Sequence, residues 1–180
     1  QTVVITGIRH AIETSIARKR DADGVVEAIT AEDLGKLPDT SIAESLARLP
    51  GLAGQRVNGS TSEIQIRGMA PKFGLTLLNG REMVSGGSNR SVEFDQFPAE
   101  LMGGAVVYKT PNAALGSQGL SGTVDLQTLR PLTLSSREIV LNARLEKNSN
   151  GVQIPGLSSK GDRISASYVD QFADRTVGVA

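Results

Sequence analysis

The residues of this chain that could do chemistry are few and scattered. There is one histidine, His10, and no cysteine, so neither a His-rich metal centre nor a disulfide or thiolate site can be built. His10 lies in a basic amphipathic stretch, where a solvated imidazole is a better reading than a general base. Asp21, Asp23, Glu32 and Asp33 are the densest acidic group, but capping and turn roles account for them without a metal. No phosphate loop is present, because Gly116-Ser117-Gln118-Gly119 has no lysine behind it. The Gly-x-Ser-x-Gly elbow and the Ser-x-x-Lys pair are missing too. The chain is therefore expected to be no enzyme and to carry no cofactor or metal. Its remaining chemistry is hydrogen bonding and charge, presented on whatever elements surround these residues.

Composition narrows the class. Lysine and arginine total 19 and aspartate and glutamate total 19, so the net charge is zero. No nucleic-acid partner is expected, since that would need a basic stripe or patch. Glycine stands at 20 of 180 residues, and the only aromatics are Phe73, Phe94, Phe97, Phe172, Tyr108 and Tyr168. Tight turns and close backbone approaches are implied more than a large aromatic core. No run of about 18 apolar residues exists that could cross a membrane as a helix.

The elements follow from periodicity. Gln1 to Gly7 reads as an extended β-branched segment. Residues 10–20 read as a helix, with Ile8, Ile12 and Ile16 at every fourth position and Arg18, Lys19 and Arg20 closing it. Val25–Ile29 is a short strand. Thr30 caps a brief helix through Gly35, and Pro38-Asp39-Thr40-Ser41 opens a second, with Ser41 and Glu44 at capping-box spacing. Ile42, Leu46 and Leu49 form its stripe, and Pro50-Gly51 ends it. Short strands follow at Leu52–Val57, Glu63–Arg67, Leu75–Leu78, Arg81–Val84, Ala105–Lys109 and Thr123–Thr128, with one helical turn at Phe97–Met102. Asn79-Gly80 predicts a type I′ hairpin. Glycine-rich polar loops lie at Asn58–Ser62, Met69–Gly74 and Ser85–Ser91.

After Arg130-Pro131 the pattern lengthens. Ile139, Leu141, Ala143 and Leu145 alternate with Glu138, Asn142, Arg144 and Glu146, with Val140 the exception. Ile164, Ala166 and Tyr168 alternate with Arg163, Ser165 and Ser167. Both runs have the length and alternation of a tilted membrane strand of about 9–11 residues. Lys147–Gly161 is a long connection and Ala173-Asp174-Arg175 a short one. Barrels of the outer membrane place long loops outside and short turns in the periplasm, so if these are barrel strands the first run starts on the periplasmic side; a half-buried antiparallel sheet of a soluble protein fits the same alternation. Two strands alone leave open edges, and the chain reads as part of a larger sheet.

At this point the residues resemble the plug of TonB-dependent outer-membrane receptors, over roughly residues 1–132. Thr2 with Val4-Ile5-Thr6-Gly7 resembles the TonB box. Pro38-Asp39-Thr40-Ser41-Ile42-Ala43-Glu44-Ser45-Leu46 with Leu49-Pro50-Gly51 resembles the plug helix and its exit. Ile64-Gln65-Ile66-Arg67-Gly68-Met69 and Leu77-Leu78-Asn79-Gly80-Arg81 match a plug strand and hairpin. Phe97-Pro98-Ala99-Glu100-Leu101 precedes Val106-Val107-Tyr108-Lys109-Thr110-Pro111, and Gly119-Leu120-Ser121-Gly122-Thr123-Val124-Asp125-Leu126 closes the series. The chain departs from many members at Lys109-Thr110-Pro111, where Arg-Gly-Pro is common, and at Asn79, where aspartate is common, and from many of the subgroup it most resembles at Gln118, where they have glutamate. Asn79-Gly80-Arg81 and Asp23-Gly24-Val25-Val26-Glu27-Ala28-Ile29 resemble a proteobacterial subgroup associated with carbohydrate uptake.

The resemblance implies an α+β plug, a small mixed sheet with short helices, followed by the start of an antiparallel transmembrane β-barrel of 22 strands in the family. The expected divisions are 1–23 for the TonB box and N-terminal helix, 24–132 for the plug and 133–180 for the first barrel strands. It also implies active uptake of a small-molecule nutrient across the outer membrane, with the N-terminus in the periplasm. The partners would be the TonB C-terminal domain and outer-membrane lipid. Thr2, Val3, Val4, Ile5 and Thr6 would add as a strand to TonB, through backbone hydrogen bonds. Arg56, Asn58, Lys72, Phe73, Asn89 and Arg90 would meet substrate on outward loops, and Arg67 would fork onto a barrel carboxylate. An oligosaccharide is the expected substrate. The alternatives are a siderophore or other metal chelate, a signal-transducing receptor of the same fold and, last, a freestanding binding module.

Overall fold

The computed structural model describes residues 6–30, 41–57, 60–83, 85–87, 89–97, 101–116, 119–134, 137–147 and 158–180. The chain divides into two compact units, Gln1–Leu129 and Arg130–Ala180.

The first unit opens with helix α1, Thr6–Asp21. It starts earlier than the sequence suggests, so Thr6 and Gly7 are helical and the expected extended segment can reach no further than residue 5, outside the described residues. The isoleucine repeat carries the helix back a turn. Strand β1 (Val26–Thr30) and helix α2 (Ile42–Leu46) follow. The helix expected from Thr30 to Gly35 and the Pro38–Thr40 lead-in fall outside the described residues. Ser41 stands at the expected N-cap position in extended conformation, but it is buried and its side chain makes no cap bond. The Ile42 amide, which a capping box would not address, donates to the Phe97 carbonyl at 3.5 Å, a tertiary partner that local spacing cannot reveal.

Strands β2 (Leu52–Val57) and β3 (Ser60–Ile66) form a separate two-stranded hairpin. β4 (Gly74–Leu78), β5 (Arg81–Glu82), β6 (Met102–Tyr108) and β7 (Gly122–Thr128) join β1 in a sheet of order β1-β6-β7-β4-β5. Only β4 and β7 run parallel among these pairs, so the sheet is mixed. One face of it packs with α2 and the hairpin around Ile29, Ile42, Leu46, Ile64, Ile66, Val107, Val124 and Leu126. A smaller cluster of Val26, Ala28 and Val106, with Ala22 and Tyr108, occupies the other. Asn79 and Gly80 both have positive φ, 51° and 79°, as a type I′ turn requires. That turn is anchored on β7, since Asn79 exchanges hydrogen bonds with Thr128 and the Gly80 amide donates to Asp125 Oδ1 at 2.9 Å. Half of the helical turn expected at Phe97–Met102, residues 98–100, lies outside the described residues; a 3₁₀ turn occurs at Phe94–Gln96, and Met102 already belongs to β6.

The second unit is an antiparallel sheet of order β10-β9-β8, with β8 at Glu138–Lys147, β9 at Lys160–Phe172 and β10 at Val177–Val179. β8 and β9 pair along ten residues, placing Ile139 opposite Tyr168, Leu141 opposite Ala166 and Ala143 opposite Ile164. One face is therefore apolar, and it is open: Leu141 is 76% exposed, Leu145 89% and Ile164 81%. On the other face Val169 is buried. Gln171 Nε2 donates to the Pro131 and Leu134 carbonyls at 2.6 Å each, holding the 3₁₀ turn Pro131–Thr133 against β9. The short connection Ala173-Asp174-Arg175 has three successive left-handed residues, with φ of 51°, 53° and 65°. Its first carbonyl is taken by the Thr176 amide and hydroxyl. Among the described residues no helix is long and apolar enough to cross a membrane.

Candidate functional site

Arg67 occupies the most unusual backbone position among the expected site residues. The motif Ile64-x-Ile66-Arg67-Gly68-Met69 is a strand running into a tight turn: β3 ends at Ile66, and Arg67 and Gly68 take φ of 55° and 74°. The Met69 amide closes the turn on the Ile66 carbonyl at 3.1 Å, and the Arg67 amide reaches the Gly51 carbonyl at 2.8 Å. Ile64 and Ile66 are buried, so the strand is fixed and the arginine is thrust outward, exposed. No carboxylate among the described residues pairs with it. A non-glycine residue in this region costs roughly 1–2 kcal/mol, and observed strain of this kind is a pointer to function. The Arg67-Gly68 turn is signalled by the glycine, as Asn79-Gly80 is, although Glu63–Arg67 reads from sequence as strand throughout.

The loop residues fall into two groups. Arg56 is exposed near the tip of the β2–β3 hairpin, opposite Thr61 and beside a bulge between Gln55 and Arg56. Asn58 lies outside the described residues. The segment carrying Asn89 and Arg90 is fastened to the same half of the hairpin, with the Ser91 hydroxyl against the Glu63 carboxylate and Ser62 Oγ donating to Asp95 at 2.9 Å. Asn89 Oδ1 accepts the Ser91 amide at 3.0 Å, and Arg90 stands 3.7 Å from Glu82, both exposed. Lys72 and Phe73 are elsewhere. They sit in the 3₁₀ turn Pro71–Phe73 beyond Ile66, with the Lys72 ammonium 5.3 Å from the Phe73 ring centre. Thr61 and Ile66 are five residues apart, so this pair is displaced from Arg56 by roughly 17 Å along β3.

Of the five expected coupling residues, only Thr6 is described, and it starts α1. An ionic cluster that no local pattern signals lies on the element after α1. Glu27 on β1 is buried and accepts Lys109 at 3.1 Å and Lys19 of α1 on its other oxygen. Burial raises its pKa, but the two lysine hydrogen bonds and charges outweigh that and hold the carboxyl below its ordinary value of 4.5. Among the described residues no group of His, Cys, Asp and Glu could hold a metal ion.

Comparison with known proteins fits this architecture. The profile of the TonB-dependent Receptor Plug Domain family matches residues 18–124, more than half of the chain. Solved structures share the fold. The siderophore receptor PirA from Acinetobacter baumannii is 24% identical, with a TM-score of 0.60 over 86% of this chain and 23% of that one. A mutant of the ferric enterobactin receptor PfeA from Pseudomonas aeruginosa is 20% identical, with a TM-score of 0.62 over 89% and 24%. The unliganded ferric citrate transporter FecA is 19% identical, with a TM-score of 0.66 over 88% and 25%. The chain thus spans about a quarter of the length of these structures. It belongs to the TonB-dependent receptor plug domain family, a family of outer-membrane receptors and not of enzymes.

Proposed function

We propose that this chain is the plug and first barrel strands of a transporter that takes up a ferric chelate across the outer membrane, driven by TonB. The observation that carries the reading is a family-matched plug followed directly by strands with one bare apolar face, Ile139, Leu141, Leu145 and Ile164. In water such a face is a liability; against lipid it is the expected surface. The plug fills the lumen and its outward loops meet the substrate. Residues 2–5, preceding α1, hand the N-terminus to TonB by strand addition. Arg67 holds the plug to the barrel wall.

The substrate class follows the alternative rather than the carbohydrate reading. The carbohydrate expectation stood on the wording of two segments, whereas the structures of like fold are receptors for ferric enterobactin, for siderophores and for ferric citrate. Exposed cations at Arg56 and Lys72 suit an anionic chelate better than a neutral sugar. The test is calorimetric titration of the complete receptor with ferric citrate, a ferric catecholate and a malto-oligosaccharide. Saturable binding of an iron chelate supports the proposal, and binding of the sugar alone overturns it.

A further inference from the structure

The apolar face of the β8–β9 pair ends in charge on both sides, and the two ends differ. Strand parity and the paired register put Arg137 and Lys147 on the face that carries Leu141 and Leu145, together with Lys160 and Asp170 from β9. At one end the charges are answered. The Tyr168 hydroxyl donates to Asp170 Oδ2 at 2.7 Å, and the Arg137 guanidinium lies close enough to act on both groups. At the other end Lys147 and Lys160 are direct cross-strand partners, and both are exposed. Asp162 shares their face, two residues inward from Lys160. Even so, among the described residues no carboxylate forms an ion pair with either lysine.

Like charges directly opposite on a sheet repel, and with the single carboxylate of Asp162 counted in, this end of the face stays net positive. The spacing says where the pair stands. Arg137 and Lys147 are ten residues apart on one strand, and Lys160 and Asp170 ten on the other. Ten residues rise roughly 33 Å along a strand, which at a barrel tilt of about 40° is about 25 Å across the membrane, the height of a barrel's apolar band. The lysines therefore stand level with lipid headgroups, at the end of β8 that leads into the long connection to β9, the outward end by loop length. At that level a lysine either snorkels into water or meets an anion. As direct partners the two have Cβ atoms about 5 Å apart, so both ammoniums can converge on one group. Two positive charges match a phosphate monoester, which carries roughly −1.5 to −2 at neutral pH, better than a singly charged diester.

We propose that Lys147 and Lys160 form a seat for the phosphate monoester of a lipid headgroup in the outward leaflet. The occupant is a lipid rather than free phosphate because the exposed stripe of Leu141, Leu145 and Ile164 runs up to the lysines, so the acyl chains and the phosphate of one molecule are both met. The seat goes beyond substrate uptake, and it rests on the transport reading above in that this face meets lipid.

The test is native mass spectrometry of the complete receptor in detergent micelles, titrated with phosphatidic acid, a monoester, and with phosphatidylglycerol, a diester of the same acyl chains. The wild type is expected to hold phosphatidic acid more tightly. Lys147→Gln and Lys160→Gln should each weaken its tightest site by about fivefold, and the double variant by about thirtyfold. The double variant Lys147→Arg with Lys160→Arg keeps both charges and should keep the preference. Three results overturn the seat. The wild type holds both lipids alike, so the lysines only snorkel; the double glutamine variant holds phosphatidic acid as the wild type does; or inorganic phosphate at the same concentration displaces the lipid, so the anion is a free one. Insertion into phosphatidylcholine vesicles, read as resistance to alkaline extraction, tests the membrane reading separately. Insertion without lipid preference sinks the seat alone, and failure to insert sinks both.

Discussion

Replacing Arg67 by asparagine separates the two things this residue does. Asparagine tolerates the left-handed backbone, so the turn at φ 55° survives and some of its strain is relieved. The guanidinium is lost. Within the plug that loss should be nearly silent, because no carboxylate among the described residues touches Arg67. In the complete receptor it should not be silent. Removing one partner of a desolvated pair costs about 3–5 kcal/mol, and turn relief returns roughly 1, leaving a net loss of about 2–4 kcal/mol. Exchange of the most protected plug amides in the complete receptor should then rise by thirtyfold to several hundredfold. Arg67→Gly relieves the turn more fully and should fall in the same range. A change below about fivefold in both variants would mean that Arg67 stays solvated at a surface pair's worth of energy, and the plug–barrel role would be refuted.

Other outcomes follow from the same structure. Glu27 has a depressed pKa, so its stabilisation is present above its ordinary value of 4.5 and is lost as pH falls through the lower folded value; the stability gap between wild type and Glu27→Gln, by thermal unfolding, should be full above 4.5 and narrow as pH falls below it. Gly104→Ala places a Cβ 2.7 Å from the Ile29 carbonyl oxygen at φ 152°, and should destabilise the β1–β6 pairing by about 2 kcal/mol or more in urea titration. Leu141→Arg should cost about 2–4 kcal/mol in barrel stability, while Asn142→Arg, on the opposite face, costs under about 1, both read from urea-induced loss of the folded band in gels.

What was legible in the sequence was local. Most strands from Leu52 to Thr128 were legible as short apolar runs between glycines, although β3 starts at Ser60, inside the expected Asn58–Ser62 loop, and Asn79-Gly80 announced its own turn because only positive φ suits that pair there. The alternation in Ile139–Leu145 needed no tertiary knowledge to place one face apart from the other. What was not legible was long-range. Glu27 and Lys109 are 82 residues apart, and neither has a neighbour that betrays burial. Ser41 and Glu44 have capping-box spacing, yet the Ser41 side chain makes no cap bond, and the Ile42 amide finds its partner at Phe97, over fifty residues away. The six loop residues look equivalent along the chain, but β3 stands between Phe73 and Arg56. Thr6 reads as part of an extended handle because β-branched residues dominate residues 2–6, yet the isoleucine repeat claims it for α1.

The central claim is that the N-terminus is gripped by TonB, and its most direct test is binding of a periplasmic TonB C-terminal domain to the complete receptor and to its Val4→Pro variant. Proline removes a backbone donor and blocks strand addition. Binding that is present in the wild type and abolished by Val4→Pro is the expected result. Binding that survives Val4→Pro, or no binding at all, would contradict the account.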